Sequence, residues 1–372
     1  MKPYLNLLLI TLLLSACRFN NEQAQKPDSA NVLQNDTATK TVVKHSADSI
    51  CIAAVGDIML GTSYPDKQTL PPDSGKNSFK AVADELRSAD VTFGNLEGVL
   101  LDTGAAAYYK LHQVSKAYLF RMPQHYADIL KDAGFDVLSI ANNHVGDFGL
   151  AGQKSTVKML DSVGIKYAGL HKYPSTIFKI NGVTYGFCAF SPNAPTVSLL
   201  DHAKAAAIIS ELKQQVDVVI VSFHGGGEGT DHEHVPSGPE SYKGEHRGDV
   251  RLFAHNAIDA GADVVLGHGP HLTRAMEKYN NRFIAYSLGN FCTYKGVNTT
   301  GVCGIAPLLK IYINKSGEFL SGRIISTRQS MPGGLRVDTA NRVVKRIKML
   351  NAIDIPEAGL NISDSGVITP AG

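Results

Sequence analysis

The chain has 372 residues, of which 44% are hydrophobic and 19% are charged, and its formal net charge is +2. This length suits one large α/β domain or two average ones, and the composition is that of a globular protein. The net charge is small and no run of Lys or Arg alternates with aromatic residues, so nucleic acid is not an expected partner.

The N-terminus has the layout of an export signal. Residues 1–16 combine Lys2 with an apolar block at residues 7–14 and then small residues, which is typical of a secretory signal peptide. The tetrad Leu-Ser-Ala-Cys ending at Cys17 resembles a bacterial lipoprotein box, in which Cys17 would be lipidated. The alternative is an ordinary signal peptide with an incidental cysteine. A lipidated protein would be exported and anchored to the envelope membrane without spanning it.

Residues 17–49 are polar and contain few large apolar side chains, so we predict a disordered tether. The predicted folded domain covers residues 50–330, and residues 331–372 are predicted to form a C-terminal extension.

Within the folded domain, short apolar runs alternate with helical patterns. Runs at residues 52–61, 91–98, 136–141, 216–224 and 262–267 read as buried strands, and helices are expected near residues 79–87, 122–133, 147–162, 202–214 and 250–260. This alternation predicts an α/β fold with parallel strands and right-handed crossovers. Hairpin signals at residues 181–182, 280–281 and 315–318 predict antiparallel strands as well.

Each of the five predicted strands carries polar side chains at or near its carboxyl end, where open α/β sheets bind ligands. We therefore expect them to converge at one sheet edge. Carboxylate, amide oxygen and imidazole suit one or two divalent ions of zinc, manganese or iron. The candidate metal ligands are Asp57, Asn95, Glu97, Asn143, His224, His268 and His271.

Simpler roles remain open for these side chains. A lone histidine is usually satisfied by a backbone carbonyl, and Asn143 and His144 could cap the next helix. If metal is bound, it would activate a water or an amine, and His144 could protonate a leaving group. We predict that Asp147 caps the helix that follows it.

A glycine-rich loop at residues 225–234 carries Glu228 and could approach a substrate closely. Positive side chains near the predicted site could bind carboxylates, or could be solvated surface charges. These are Lys110, His112, Arg247 and Arg274.

The chain has four cysteines besides Cys17, and none forms a C-x-x-C pair, which argues against a zinc knuckle or a thioredoxin-type site. We expect Cys51 and Cys188 to be buried thiols. A disulfide between Cys292 and Cys303 is left open.

The order of these motifs resembles the bacterial capsule-synthesis CapA family, which is associated with poly-γ-glutamate and is similar in fold to calcineurin-like metallophosphoesterases. The resemblance covers about residues 51–292. It rests on Gly56-Asp57, Asn95-Leu-Glu97, Ala141-Asn-Asn-His144, His224 with Glu228, Gly267-His-Gly-Pro-His271 and Tyr286-Ser-Leu-Gly-Asn-Phe291.

The resemblance implies a four-layer α/β/β/α sandwich of the metallophosphoesterase type with mixed sheets, and metals between the carboxyl edges of two facing sheets. Asp57 and His271 would serve one metal, and Asn143, His224 and His268 the other, with Asn95 or Glu97 between them. His144 looks like the family's acid or phosphate-contacting histidine. The implied polymer is poly-γ-glutamate, handled together with other capsule-synthesis subunits.

The chain departs from the phosphoesterase pattern at three places. Met59 stands where phosphoesterases have a histidine, Asn95 where they have an aspartate, and His268 and His271 form His-x-x-His instead of His-x-His. A single ion is therefore an alternative to a pair. The function is expected to be hydrolysis or transfer of γ-glutamyl amide bonds, with a polymer-binding or export subunit and a phosphoesterase as alternatives.

Overall fold

We describe a computed structural model of the chain, which covers residues 49–111, 118–330 and 334–371. The predicted signal peptide, Cys17, His112 and nearly all of the predicted tether lie outside these residues. Within them, every helix is too short or too polar to cross a membrane.

The helices are α1 (Ala83–Arg87), α2 (Tyr108–Leu111), α3 (Tyr126–Ala133), α4 (Gly149–Val163), α5 (His202–Lys213), α6 (Val250–Asp259) and α7 (Arg342–Asp354). The strands are β1 (Ile50–Met59), β2 (Val91–Leu96), β3 (Val99–Leu100), β4 (Arg121–Met122), β5 (Val137–Ser139), β6 (Lys166–Ala168), β7 (Ser175–Ile180), β8 (Val183–Phe190), β9 (Val218–His224), β10 (Glu240–Tyr242), β11 (Glu245–Gly248), β12 (Val264–His268), β13 (Met276–Tyr279), β14 (Arg282–Ala285), β15 (Asn290–Thr293), β16 (Ile305–Ile313), β17 (Phe319–Ser330), β18 (Gly334–Val337), β19 (Leu360–Ile362) and β20 (Val367–Pro370).

Two mixed sheets form the centre of the fold. The first has the order β19-β20-β17-β16-β1-β2-β5-β6, with β15 also paired to β1 and β18 to β17. Its strands β1, β2, β5 and β6 run parallel, whereas β16 and β17 are antiparallel to their neighbours. The second sheet has the order β13-β14-β12-β9-β8-β7, with parallel pairing from β8 to β14.

The two sheets face each other across an apolar core. Ile52 and Phe93 of the first sheet share this core with Phe187, Ile220 and Val264 of the second. The outer face of the first sheet packs against α1, α3 and α4, and that of the second against α5 and α6. The predicted four-layer α/β/β/α sandwich is therefore confirmed.

Glycine and asparagine residues mark the ends of two helices and the turn of one hairpin. Gly134 and Gly164 adopt left-handed conformations at the C-terminal ends of α3 and α4, a position that suits glycine. Asn181 and Gly182 have positive φ angles in the turn between β7 and β8, as the hairpin signal predicts.

The C-terminal segment completes the first sheet. Strands β18 and β20 both pair with β17, and α7 packs Val343, Val344 and Ile347 into the core between the sheets. Asn351 of α7 exchanges two hydrogen bonds with the backbone of Met276 in β13. In its described residues, the segment predicted as an extension is therefore part of the same fold.

Gly56, which precedes Asp57 in β1, should not tolerate a side chain. A Cβ atom there would lie 1.9 Å from the carbonyl oxygen of Gly289. We expect Gly56→Ala to lower the free energy of unfolding by about 3 kcal/mol, because rigid backbone must move. Urea unfolding followed by circular dichroism measures this.

Gly149→Ala is the control, since a Cβ at this position meets no atom of the described residues within 4 Å and only the φ of +55° is strained. Its cost should be about 1 kcal/mol. Equal losses for the two variants would contradict the steric explanation.

Candidate metal centre

Asp57 is the most deeply buried charge of the site. It lies in β1, is 0% exposed, and receives a hydrogen bond from Asn95 Nδ2 at 2.8 Å and an ion-pair contact from His271 Nδ1 at 3.1 Å. His268 Nδ1 lies 3.3 Å from Asp57 Oδ1, the oxygen that accepts from Asn95, whereas His271 contacts Oδ2. The carboxylate therefore joins side chains from both sheets and from the loop after β12.

Glu97 and His271 complete a group that could hold a metal ion. Ligand atoms of Asp57, Glu97 and His271 all lie within 4.8 Å of one another. His271 Nε2 is 3.6 Å from Glu97 Oε1, and this oxygen has no hydrogen-bond partner among the described residues. Of the two alternatives for the position between metals, Glu97 is thus the one with a free ligand atom.

Asn95 uses its amide differently from the prediction. Its nitrogen donates to Asp57, and its oxygen accepts a hydrogen bond from Asn142 Nδ2 at 3.2 Å. Asn142 also donates to the carbonyl of Leu96 and accepts from the backbone of His144. Both ends of the Asn95 amide are engaged, so this side chain orients Asp57 instead of offering a ligand atom.

Three further predicted ligands have polar atoms beside this group that lack a hydrogen bond to the described residues. Both ring nitrogens of His224 and of His268, and the side-chain oxygen of Asn143, are buried without a hydrogen bond in the described part of the chain. His224 and His268 are register partners at the ends of β9 and β12. Buried polar groups normally have partners, so such a concentration fits a bound cation. The residues present therefore fit one or two divalent ions.

The sequence predicted that the five strand ends share one sheet edge. They are instead divided between two sheets. Asp57, Asn95 and Asn143 belong to the first sheet or the loop after its strand, whereas His224 and His268 end strands of the second. Their approach depends on how the two sheets face each other, as the family resemblance implies.

The charges act strongly on one another. Burial alone would raise the pKa of Asp57, but contacts with His268 and His271 hold it well below the usual range. Burial raises the pKa of Glu97 well above its ordinary value, despite the opposing charge of His271. Burial would lower the pKa of His271, but Glu97 and Asp57 raise it to about 10.

His224 behaves in the opposite way. Burial first, and the positive charge of Arg247 second, lower the pKa of His224 well below its ordinary value. Its imidazole is therefore neutral at pH 7, which is the form that binds metals.

His144 is oriented by a residue that we had assigned elsewhere. Its Nδ1 lies 2.8 Å from Asp147 Oδ2, its ring stacks on Phe120, and its Nε2 lies 3.9 Å from Glu97 Oε1. Asp147 also accepts from the backbone of Phe120 and pairs with Lys110 at 3.0 Å. The prediction that Asp147 caps α4 is wrong, because α4 begins after Phe148 without a side-chain cap.

A cleft of about 780 Å³ opens over this group. His144, His271 and Asn143 lie in its wall, together with the predicted substrate contacts Lys110 and Glu228. Arg247 lines the cleft too and pairs with Glu228 at 3.1 Å.

Arg274 is a correction to the prediction of substrate binding. It is fully buried, forms a two-point ion pair with Glu240, and donates to the carbonyl of His232 at 2.9 Å. Its guanidinium is therefore committed to holding the glycine-rich loop.

Asn290 was missed as a contributor to the site. Its side-chain nitrogen donates to the backbone carbonyl of His271 at 3.0 Å, where His271 itself has a positive φ of 61°. A strained backbone of this kind needs support from its surroundings. The motif containing Asn290 was recognised, but only the contact shows its role.

The four cysteines within the described ranges are buried free thiols. Cys303 borders the cleft, and burial raises the pKa of Cys292 and of Cys303.

Residues 51–295, more than half of the chain, match the family described as Bacterial capsule synthesis protein PGA_cap. The chain belongs to this family.

Two relatives of this PGA_cap protein carry related names. "PGA biosynthesis protein CapA" of Bacillus subtilis (strain 168) is 31% identical over 323 residues, which cover 81% of this chain and 78% of the relative. "Capsule biosynthesis protein CapA" of Bacillus anthracis is 29% identical over 294 residues, covering 73% of this chain and 66% of the relative.

Solved structures that overlap with the PGA_cap protein include a purple acid phosphatase from yellow lupin seeds and the NAD nucleotidase of Haemophilus influenzae. The phosphatase covers 75% of this chain and 51% of its own, at a TM-score of 0.39 and 9% identity. The nucleotidase covers 82% and 56%, at 0.39 and 12%. At these TM-scores we draw no conclusion from either overlap.

We expect Asp57→Asn to weaken the binding of Zn²⁺ or Mn²⁺ by the PGA_cap protein. Loss of a group that only orients a ligand costs about 10- to 100-fold in metal affinity, which is the range we expect for Asn95→Ala, and loss of the ligand charge should exceed it. Competition with a chromogenic chelator measures the affinities.

Glu211→Ala on the exposed face of α5 is the matched acidic control and should retain wild-type affinity. Wild-type metal affinity in Asp57→Asn would show that the group Asp57, Glu97 and His271 is not the metal site.

Proposed function

We propose that this protein is a metal-dependent enzyme of the cell envelope that hydrolyses or transfers γ-glutamyl amide bonds of poly-γ-glutamate. The observation that carries the proposal is the concentration beside Asp57 of buried ligand atoms that make no hydrogen bond within the described part of the chain, from Glu97, His224, His268 and Asn143. The PGA_cap family and the name of the Bacillus subtilis relative, PGA biosynthesis protein CapA, support the polymer.

Asp57, Glu97 and His271 would hold one divalent ion, and His224, His268 and Asn143 would contribute to a second where two are bound. When bound, such an ion supplies a Lewis acid that activates a water or amine and polarises the carbonyl under attack. Asn95 fixes the direction of the Asp57 carboxylate through its 2.8 Å hydrogen bond.

His144 is the proposed general acid. Asp147 Oδ2 accepts a hydrogen bond from Nδ1 of His144, and stacking on Phe120 limits rotation of the ring, so Nε2 faces the cleft on the side of Glu97. Transfer of a proton from His144 Nε2 to the leaving amine would complete cleavage of the amide bond. Lys110 offsets the charge of Asp147 and also donates to the Asn143 carbonyl at 2.7 Å.

A non-catalytic subunit that binds the polymer and helps its export is the second candidate. It is favoured by Asn95, because the amide that stands in place of a carboxylate has both of its ends engaged. Met59, which replaces a histidine ligand of phosphoesterases, is buried and has an apolar side chain. Both changes reduce the number of ligands.

We expect the metal-loaded protein to cleave or transfer a γ-linked glutamate oligomer and to leave a generic phosphodiester intact. His144→Ala should lower kcat about 10²- to 10⁴-fold, the usual contribution of a general acid. Asp147→Asn should lower kcat by less and change its pH profile, with metal content unchanged. Chromatography of the oligomer products gives the rates.

The exposed His125→Ala is the matched control and should keep wild-type kcat. If the metal-loaded protein is inert on both substrates and Asp57→Asn still supports capsule formation, the subunit is the better description. Cleavage of the diester alone would indicate a phosphoesterase.

We further propose that the protein is exported and lipid-anchored through Cys17, where it would act with other capsule-synthesis subunits on the envelope. We expect Cys17→Ser to abolish labelling with a radioactive fatty acid and to move the protein from the membrane fraction to the soluble one. Cell fractionation with immunoblotting follows the change. An unlabelled wild-type protein would refute lipidation.

A further inference from the structure

Arg247 presents a buried guanidinium whose contacts are incomplete. It lies in β11, is 1% exposed, and donates from Nε to the carbonyl of Gly226 at 2.9 Å. The amide of Gly226 in turn donates to the carbonyl of Arg247 at 2.9 Å. One edge of the guanidinium is thus fixed to the glycine-rich loop, which sets its direction.

The other edge of the guanidinium faces two carboxylates but makes no well-formed hydrogen bond to either of them. Nη2 lies 3.1 Å from Glu228 Oε1 but outside hydrogen-bond geometry, and it is buried without a hydrogen bond in the described ranges. Nη1 lies 3.8 Å from Oε2 of Glu245, whose side chain is 56% exposed. A buried guanidinium normally gains more from a two-point contact with a single carboxylate.

The incomplete edge is located where a substrate would bind. Arg247, Glu228 and Glu245 all line the cleft that also contains His144 and His271. The charge of Arg247 acts on Glu97 and His224, which lie in the candidate metal centre. Arg247 therefore adjoins both the metal group and open space.

We propose that Arg247 is the carboxylate-binding residue that selects the substrate, and that Glu228 occupies this position until the α-carboxylate of a γ-glutamyl unit displaces it. The assignment rests on the proposed function. Its basis is that Nη2 of this buried guanidinium, in the cleft wall, makes no hydrogen bond to the described residues although the Glu228 carboxylate lies 3.1 Å away. That carboxylate shows that a group of this size and charge fits there.

Displacement requires that Glu228 can leave, and its surroundings allow this. Its side chain is 20% exposed and lines the cleft, so it can turn toward solvent without movement of the loop backbone. The α-carboxylates of γ-linked glutamate recur at every residue of the polymer. Arg247 would fix the position of one such unit relative to His144.

Calorimetric titration of the full-length, metal-loaded protein tests the assignment, in a His144→Ala background that limits turnover. The ligands are a γ-linked glutamate pentamer and the same pentamer with its α-carboxyl groups converted to amides. We expect the acid form to bind at least about tenfold more tightly, since a charge-assisted two-point contact is lost in the amide.

Two variants change the contact in opposite directions. Arg247→Lys should weaken binding of the acid pentamer about tenfold and leave the amide form unchanged, because an ammonium cannot make the two-point contact. Glu228→Gln should tighten binding of the acid form several-fold, because the competing carboxylate is gone. Glu211→Gln on the exposed face of α5, away from the cleft lining, is the matched control and should leave the affinity for the acid pentamer unchanged.

Unchanged or weaker binding of the acid pentamer in Glu228→Gln would overturn the proposal, as would a wild-type preference for the acid form in Arg247→Lys. If Arg247→Lys does not fold, as judged by its melting curve, Glu228→Gln decides alone. Inorganic phosphate that binds more tightly than the pentamer, in a manner sensitive to Arg247, would also count against a carboxylate ligand.

The result is separable from the proposed function. Acid-over-amide preference without turnover in the His144-containing protein would sink the enzyme and leave Arg247 as a polymer-binding residue. Turnover without this preference would sink only the assignment of Arg247.

Discussion

The buried carboxylate of Asp57 is the constraint on which the rest of the structure depends. An ionised carboxylate removed from water costs several kcal/mol unless it is paired and hydrogen-bonded. Asn95 supplies a hydrogen bond from the adjacent strand, while His268 and His271 supply contacts from the second sheet and its following loop. The same interaction therefore stabilises the charge and fixes the carboxyl edges of the two sheets relative to each other.

The buried charge of the site is only partly compensated, as Glu97 shows. It is buried beside Asp57, carries a carboxylate of the same sign, and keeps one oxygen without a hydrogen bond to the described residues. The ring nitrogens of His224 and His268 also lack a hydrogen bond among the described residues, although Nδ1 of His268 lies 3.3 Å from Asp57. A fold that satisfies Asp57 and leaves these atoms bare is arranged to gain further stability from a cation.

Features that depend on local sequence could be predicted. The apolar runs predicted the strands that carry Asp57, His224 and His268, and the helical patterns at residues 122–133 and 147–162 predicted α3 and α4. The α/β class followed from the alternation of these elements, whereas the four-layer sandwich was implied by the family resemblance. Periodicity and turn chemistry act over a few residues, so neighbouring sequence is enough to reveal them.

Features that depend on side-chain direction could not be predicted. Asp147 looked like a helix cap from its neighbours, yet it accepts from the backbone of Phe120, 27 positions away. Arg274 looked available for substrate, but it pairs with Glu240 in β10, 34 positions away. Asn95 was placed correctly at its strand end, and only the contact with Asn142 shows that its amide oxygen is engaged. These outcomes depend on long-range pairs that sequence spacing does not contain.

The C-terminal helix gives these long-range contacts a further consequence. Arg346 of α7 pairs with Glu233, and Asp354 accepts hydrogen bonds from the ring of His234 and the amide of Val235. Arg274 holds the neighbouring carbonyl of His232. The glycine-rich loop is thus clamped just after Glu228 by a helix beyond residues 51–295, the span of the family match. Because α7 is itself anchored in the core between the sheets, the position of the cleft wall depends on the packing of the whole fold.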